Sequence, residues 1–180
     1  MTEPSRAPLR PYRGRWPTLG ARVYVDPQAC VIGAVTLGDD VSVWPMVVIR
    51  GDVNEISIGA RTSVQDGSVL HVTHAGPYSG AGHALEIGAE VTIGHQVVLH
   101  GCRVGERCLI GMGATVLDGV VIDPEVIVGA GTLVPPGKRL PSRSVWVGNP
   151  ARRLRSVSAA ELEQFGYLAA HYVRIKDEYR

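Results

Sequence analysis

A chain of 180 residues can form one domain with a sizeable core, and 45% hydrophobic with 19% charged residues is ordinary folded composition, which excludes a disordered protein. The net charge of +1 gives no pull toward polyanions, and the densest basic cluster, Arg152, Arg153 and Arg155, is short and near the end, so nucleic acid is not an expected partner. No apolar run approaches the roughly 20 residues that span a bilayer, the opening "MTEPSRAPLRPYRGRWP" lacks the apolar segment of a signal peptide, and three cysteines without a CxxC indicate neither a disulfide framework nor a thiolate metal site, so a cytoplasmic protein is expected.

Residues 1–18 read as an N-terminal extension. From Leu19 the chain divides every six residues as LGARVY, VDPQAC, VIGAVT, LGDDVS, VWPMVV, IRGDVN, with an aliphatic residue first each time. The register resumes at Ile58, at Ile87 and at Val104. Amphipathic helices do not keep a period of six, and a flat strand does not tolerate glycine or aspartate so often. The pattern predicts a parallel β-helix over 19–148, each hexad forming one side of a coil with its first residue inward. Grouping by threes starts coils at Leu19, Leu37, Ile58, Ile87, Val104 and Ile122, about six turns. Two places break the period: three residues added before Ile58, and a loop at 72–86. Extrusions from a repetitive scaffold are where function usually sits. In the C-terminal segment 149–180, Ser158 and Glu161 form a capping box, and Leu162, Phe165, Ala169, Tyr172 and Lys176 trace one stripe of an α-helix expected to pack on the prism.

In this register His71 and His100 are both second residues of a third hexad, so they stack facing outward, about 4.8 Å apart. His95 is the third residue of a second hexad and belongs to a different side. The three imidazoles converge if prisms pack side by side, His71 and His100 of one chain meeting His95 of the next. Three neutral imidazoles with an open fourth position make a metal site of the catalytic type. On spacing alone such a stack also arises by chance, and solvent-facing histidine is the default for His74, His83 and His171. Arg50, one coil before His71, and Asp66, one coil before His95, either belong to the solvated surface or serve the two halves of this site.

The segments "VIRGDVNEISIGARTSVQDGSVLHVTH", "IGHQVVLHGC", "IGMGATVLDGVVI", "VGAGTLVPPGK" and "VWVGNPARRLR" resemble the gamma-class carbonic anhydrases and their relatives in the hexapeptide-repeat superfamily, from about Arg10 to Tyr179. The resemblance implies a left-handed helix and a homotrimer with three interfacial metal sites. It implies His71, His95 and His100 as ligands, Arg50 and Asp52 as an ion pair at the seam, and Gln65 and Asp66 beside a metal-bound water. Tyr167 resembles the family's helix tyrosine that reaches toward the site. The implied cofactor is Zn2+, with Fe2+ and Co2+ equally suited to imidazole. The implied reaction is the reversible hydration of CO2 to bicarbonate, the metal bringing the pKa of its water toward about 7.

Three positions depart from the family pattern. The loop between Val72 and Leu85 has no Asp or Glu, Val53 follows Asp52 where a glutamate is usual, and Ser63 replaces an asparagine. Proton export then falls to His74, Tyr78 and His83 as loop candidates. The superfamily also contains acyltransferases and thioester hydrolases, which need one histidine base rather than three, and catalytically weak assembly subunits.

Overall fold

The computed structural model describes residues 8–179. Its body is a left-handed parallel β-helix, and three columns of inward residues run its length. Leu19, Leu37, Ile58, Ile87, Val104, Ile122 and Leu140 are successive Cα partners on the first side. Val25, Val43, Val64, Ile93, Ile110, Val128 and Trp146 do the same on the second. Val31, Ile49, Leu70, Leu99, Val116 and Val134 complete the third. Apart from the terminal coil, where Leu19 is exposed and Val25 partly buried, they join one continuous hydrophobic core.

The sides are short because each coil must turn three times. At one corner the turning residue has positive φ in every coil and is never glycine: Arg22, Asp40, Arg61, Glu90, Arg107, Glu125 and Arg143, all between 54° and 61°. Left-handed backbone is uncommon for such residues. Here their charges alternate along the column, and Arg22–Asp40, Arg61–Glu90, Arg107–Glu125 and Arg143–Glu125 pair between coils.

The three outer faces differ in character. The first carries Ser57, Glu86, Arg103 and Arg139 outward, with Arg103 paired to Glu86 at 3.0 Å. The second is covered by the helix Ala159–Glu178, whose Phe165 packs on Ile127 and Val145. The capping box of Ser158 and Glu161 is formed, and Phe165, Ala169 and Lys176 of the expected stripe are buried. Arg107 donates to the Leu162 carbonyl at 3.1 Å, and the fully buried Lys176 ammonium meets Asp40 at 3.1 Å, so the charged corner grips the helix near both ends. The third face points Val48, Val69, Val98, Thr115 and Leu133 outward, with Val69 40% exposed.

The insertion before Ile58 is a bulge: Gly33 pairs with Gly51 and Val35 with Ile56, leaving Asp52–Glu55 opposite Ala34 alone. The loop after His71 doubles back on itself through Thr73–His83 and Gly76–Gly80 bridges. The last strand has no hexad signal. Arg152–Ser156 returns antiparallel along Ser144–Val147, so the ladder groups of the latter are paired rather than left as an open edge.

Candidate functional site

Stacking of coils creates the histidine pair. His71 and His100 are Cα partners on the third face, their rings tilted with centroids 5.0 Å apart. His71 Nδ1 and His100 Nε2 face each other at 3.0 Å. Each ring's other nitrogen meets a carboxylate: His71 Nε2 lies 3.0 Å from Asp52 and His100 Nδ1 lies 2.6 Å from Asp118. Arg50 donates to Asp52 at 2.5 Å, and Thr73 donates to Asp118 at 2.7 Å.

An ionised carboxylate only accepts, so a neutral imidazole that donates its N–H to the aspartate leaves its facing nitrogen with a bare lone pair. Burial alone would raise the Asp52 carboxyl, but its bonds from Arg50 and His71 outweigh that and hold it below the ordinary range. Burial likewise opposes, and the bonds from His100 and Thr73 overcome, in keeping Asp118 low. Burial, helped by the nearby Arg50, moves His71 down, toward the neutral ring. Two lone pairs 3.0 Å apart repel unless a positive centre lies between them. In a tetrahedral site with metal–nitrogen bonds of about 2.0–2.1 Å, two ligand atoms stand about 3.3 Å apart. The donor set therefore suits a divalent cation with nitrogen preference.

His95 sits across a corner, after Thr92–Ile93 on the second side, and is exposed, with its Nδ1 2.9 Å from Asp66. Gln65, Asp66 and His95 line a pocket of about 220 Å³ with Trp44, Pro45, Tyr172, Ile175 and Tyr179. Trp44 is held over this wall by its indole N–H, which donates to the buried Ser63 hydroxyl at 2.9 Å. Within the described residues of one chain, no three His, Cys, Asp or Glu side chains gather as a metal-holding group.

The remaining sequence candidates separate. Tyr167 stands outside the pocket, 62% exposed and stacked on His171 at 5.9 Å; within one chain the helix tyrosine beside the site is Tyr172, because Tyr167 lies on the solvent side of the stripe. Tyr78 is fully exposed at the loop tip and His74 is exposed, whereas His83 folds back so that a β-carbon on Gly119 would meet its ring at 3.4 Å. Asp118 and Thr73 were not singled out from sequence. The available signal was register: Asp118 falls opposite Gly101, the residue after His100, where a missing side chain leaves room for a carboxylate. Cys102 and Cys108 are buried, which pushes both thiols up to about 12 and leaves them inert. A larger cavity of about 440 Å³, walled by Arg15, Trp16, Glu55 and Glu86, holds none of these groups.

Residues 101–136 match the family model described as bacterial transferase hexapeptide (six repeats). The chain is 52% identical over 171 residues to protein YrdA of Escherichia coli, covering 95% of this chain and 93% of that one. It is 46% identical over 156 residues to mitochondrial gamma carbonic anhydrase 1 of Arabidopsis thaliana, covering 87% of this chain but 56% of that longer protein. The solved structure of a hexapeptide transferase family protein from Anaplasma phagocytophilum superposes with a TM-score of 0.89 at 33% identity, covering 97% of this chain and 99% of that one. The fold, with its stacked hexads, defines a hexapeptide-repeat left-handed β-helix protein. Within that superfamily the chain belongs to the gamma-class carbonic anhydrase-like family.

Proposed function

We propose that the protein is a divalent-metal-dependent enzyme that hydrates CO2 to bicarbonate at sites shared between the chains of a homotrimer. The observation that carries this reading is the facing of His71 Nδ1 and His100 Nε2 at 3.0 Å, each ring backed by its own aspartate. His71 and His100 of one chain would hold the metal with His95 of a neighbour, since His95 stands on a different side of the prism. The apolar third face, beside which the pair stands, is the surface offered to that neighbour. Zn2+ is the proposed cofactor, with Fe2+ and Co2+ suited to the same nitrogens. When bound, such an ion supplies Lewis acidity that makes water a source of hydroxide near neutral pH.

The chain's own residues supply the rest. Asp66 turns the His95 ring, and its unengaged lone pairs can accept a proton from water. Gln65, nearly buried beside it, orients the attacking oxygen through its amide. Trp44, Pro45 and Ile175 give an apolar wall suited to an uncharged, nonpolar gas. Proton export has no acidic side chain in the 73–84 loop, so it passes to His74, to His83 or to buffer. Three free cysteines agree with work in the reducing cytoplasm.

Acyl transfer is the competing reading, favoured by the close superposition on a hexapeptide transferase family protein. It needs one histidine base and leaves unexplained an aspartate on each of three imidazoles. One paired measurement separates the two: metal content of the purified protein, and CO2 hydration by metal-loaded protein alongside acetyl transfer from acetyl-CoA. About one metal per chain and hydration that rises with imidazole buffer is the expected result. Acetyl transfer by metal-free protein without hydration would overturn the proposal.

A further inference from the structure

His100 is turned by a carboxylate from the next coil. Asp118 Oδ1 lies 2.6 Å from His100 Nδ1, and Asp118 Oδ2 accepts from the Thr73 hydroxyl at 2.7 Å. Thr73 is itself fixed by backbone contacts. It exchanges two hydrogen bonds with His83, both 2.9 Å, and its carbonyl also accepts from the Asn54 amide at 3.0 Å. The neck of the loop, the inserted bulge and the coil after His100 therefore meet at one threonine. Its hydroxyl has a single proton. His100 Nδ1 is 3.5 Å away from that oxygen, so the proton goes to the nearer carboxylate and the imidazole N–H goes to the other carboxylate oxygen.

Space for this arrangement comes from Gly101, with φ +49°. A β-carbon there would meet Asp118 Oδ1 at 2.5 Å and His83 Cβ at 2.7 Å. The carboxylate thus lies against bare backbone, and sliding away from His100 would cost it the Thr73 bond.

We propose that Asp118, braced by Thr73, is a positioning residue that fixes His100 as the Nδ1–H tautomer and aims its bare Nε2 at the space facing His71 Nδ1. The tautomer follows from these contacts alone; its consequence for metal affinity rests on the function proposed above. A carboxylate behind a ligating imidazole removes ring rotation and raises basicity, and losing such a partner weakens metal binding about 10–100-fold.

Long-range proton–nitrogen NMR on the full-length, metal-free protein reads the tautomer. Wild type shows His100 protonated at Nδ1, and Asp118→Ala shifts it to a mixture or to Nε2–H. Cobalt(II) titrated against a competing chelator then binds Asp118→Ala and Thr73→Val about 10–100-fold more weakly, while Thr73→Ser, which keeps the hydroxyl, stays near wild type. The serine variant guards against a mere folding defect at position 73. Nε2–H in wild type, or Asp118→Ala affinity within about twofold of wild type, overturns the inference. An Asp118→Ala protein that keeps the Nδ1–H tautomer likewise overturns it, whereas a wild-type protein that binds no cobalt, with the tautomer lost in Asp118→Ala, overturns the metal reading and the affinity half alone.

Discussion

At the scale of single residues, two kinds of position behave differently. Inward residues such as Leu99, fully buried between Leu70 and Val116, have aliphatic partners above and below, so truncation leaves a cavity that stacked coils can close only by breaking register. Leu99→Ala should therefore cost about 2–5 kcal/mol, measured as a lower denaturant midpoint at unchanged slope. Outward histidines carry no such weight. His71→Ala, His95→Ala and His100→Ala should each melt, metal-free, near metal-free wild type and lose most bound metal by elemental analysis, while His171→Ala, stacked on Tyr167 on the helix, keeps it. Full metal retention in His95→Ala would remove that residue from the site.

Elements are held in place by charge placed where geometry already constrains the chain. The alternating corner column pairs Arg22 with Asp40, Arg61 with Glu90, and Glu125 with both Arg107 and Arg143 between coils. Arg61→Glu would put three acids in succession with Asp40 and Glu90, and should lower Tm by about 2–4 °C, for about 1 kcal/mol or less. Equal melting of Arg61→Glu and wild type would show the column to be solvated surface. The C-terminal helix depends on Glu161, whose carboxylate takes the Arg155 guanidinium at 2.7 Å and the Ser158 backbone N–H at 2.8 Å. Those bonds bring it from 4.5 to about 2. A depressed folded-state value means that the unfolded chain binds the proton more readily, so this contribution is complete above about 4.5 and fades as pH falls toward about 2. The Tm gap between wild type and Glu161→Gln should narrow over that window in circular dichroism melts; a gap independent of pH would mean that the ion pair does not hold the helix.

On the scale of the whole molecule, two faces are accounted for, one polar and one under the helix, and the third shows aliphatic side chains beside His71 and His100. The proposed trimer would bury this face and bring a neighbour's His95 to that pair. If every site draws His71 and His100 from one chain and His95 from the next, two defective chains can repair each other. Unfolding His95→Ala and His100→Ala together and refolding an equal mixture should return about a quarter of wild-type metal binding, the chance that a cyclic trimer interface receives the right ordered pair. Zero recovery from demonstrably mixed trimers would put all three ligands in one chain.

The period of six made the prism, its inward columns and the sides bearing each histidine legible in sequence, because a residue's place in an eighteen-residue coil decides its face and its neighbours one coil away. The helix was legible for a similar reason, since its cap and stripe lie within local reach. What only the tertiary structure decided were contacts that depend on how irregular segments return to the regular ones. Asp118 reaches His100 across 18 residues and Thr73 across 45, the second path running through a loop that keeps no register. Tyr172, already on the stripe read from sequence, meets the Trp44 ring at 6.5 Å only because the helix lies along the second side, and Arg152–Ser156 joins its sheet antiparallel without any hexad to announce it. Periodicity assigns faces, whereas the aim of a side chain is set by whichever partner its loop or neighbouring coil brings within hydrogen-bond distance, and that depends on the closed three-dimensional path.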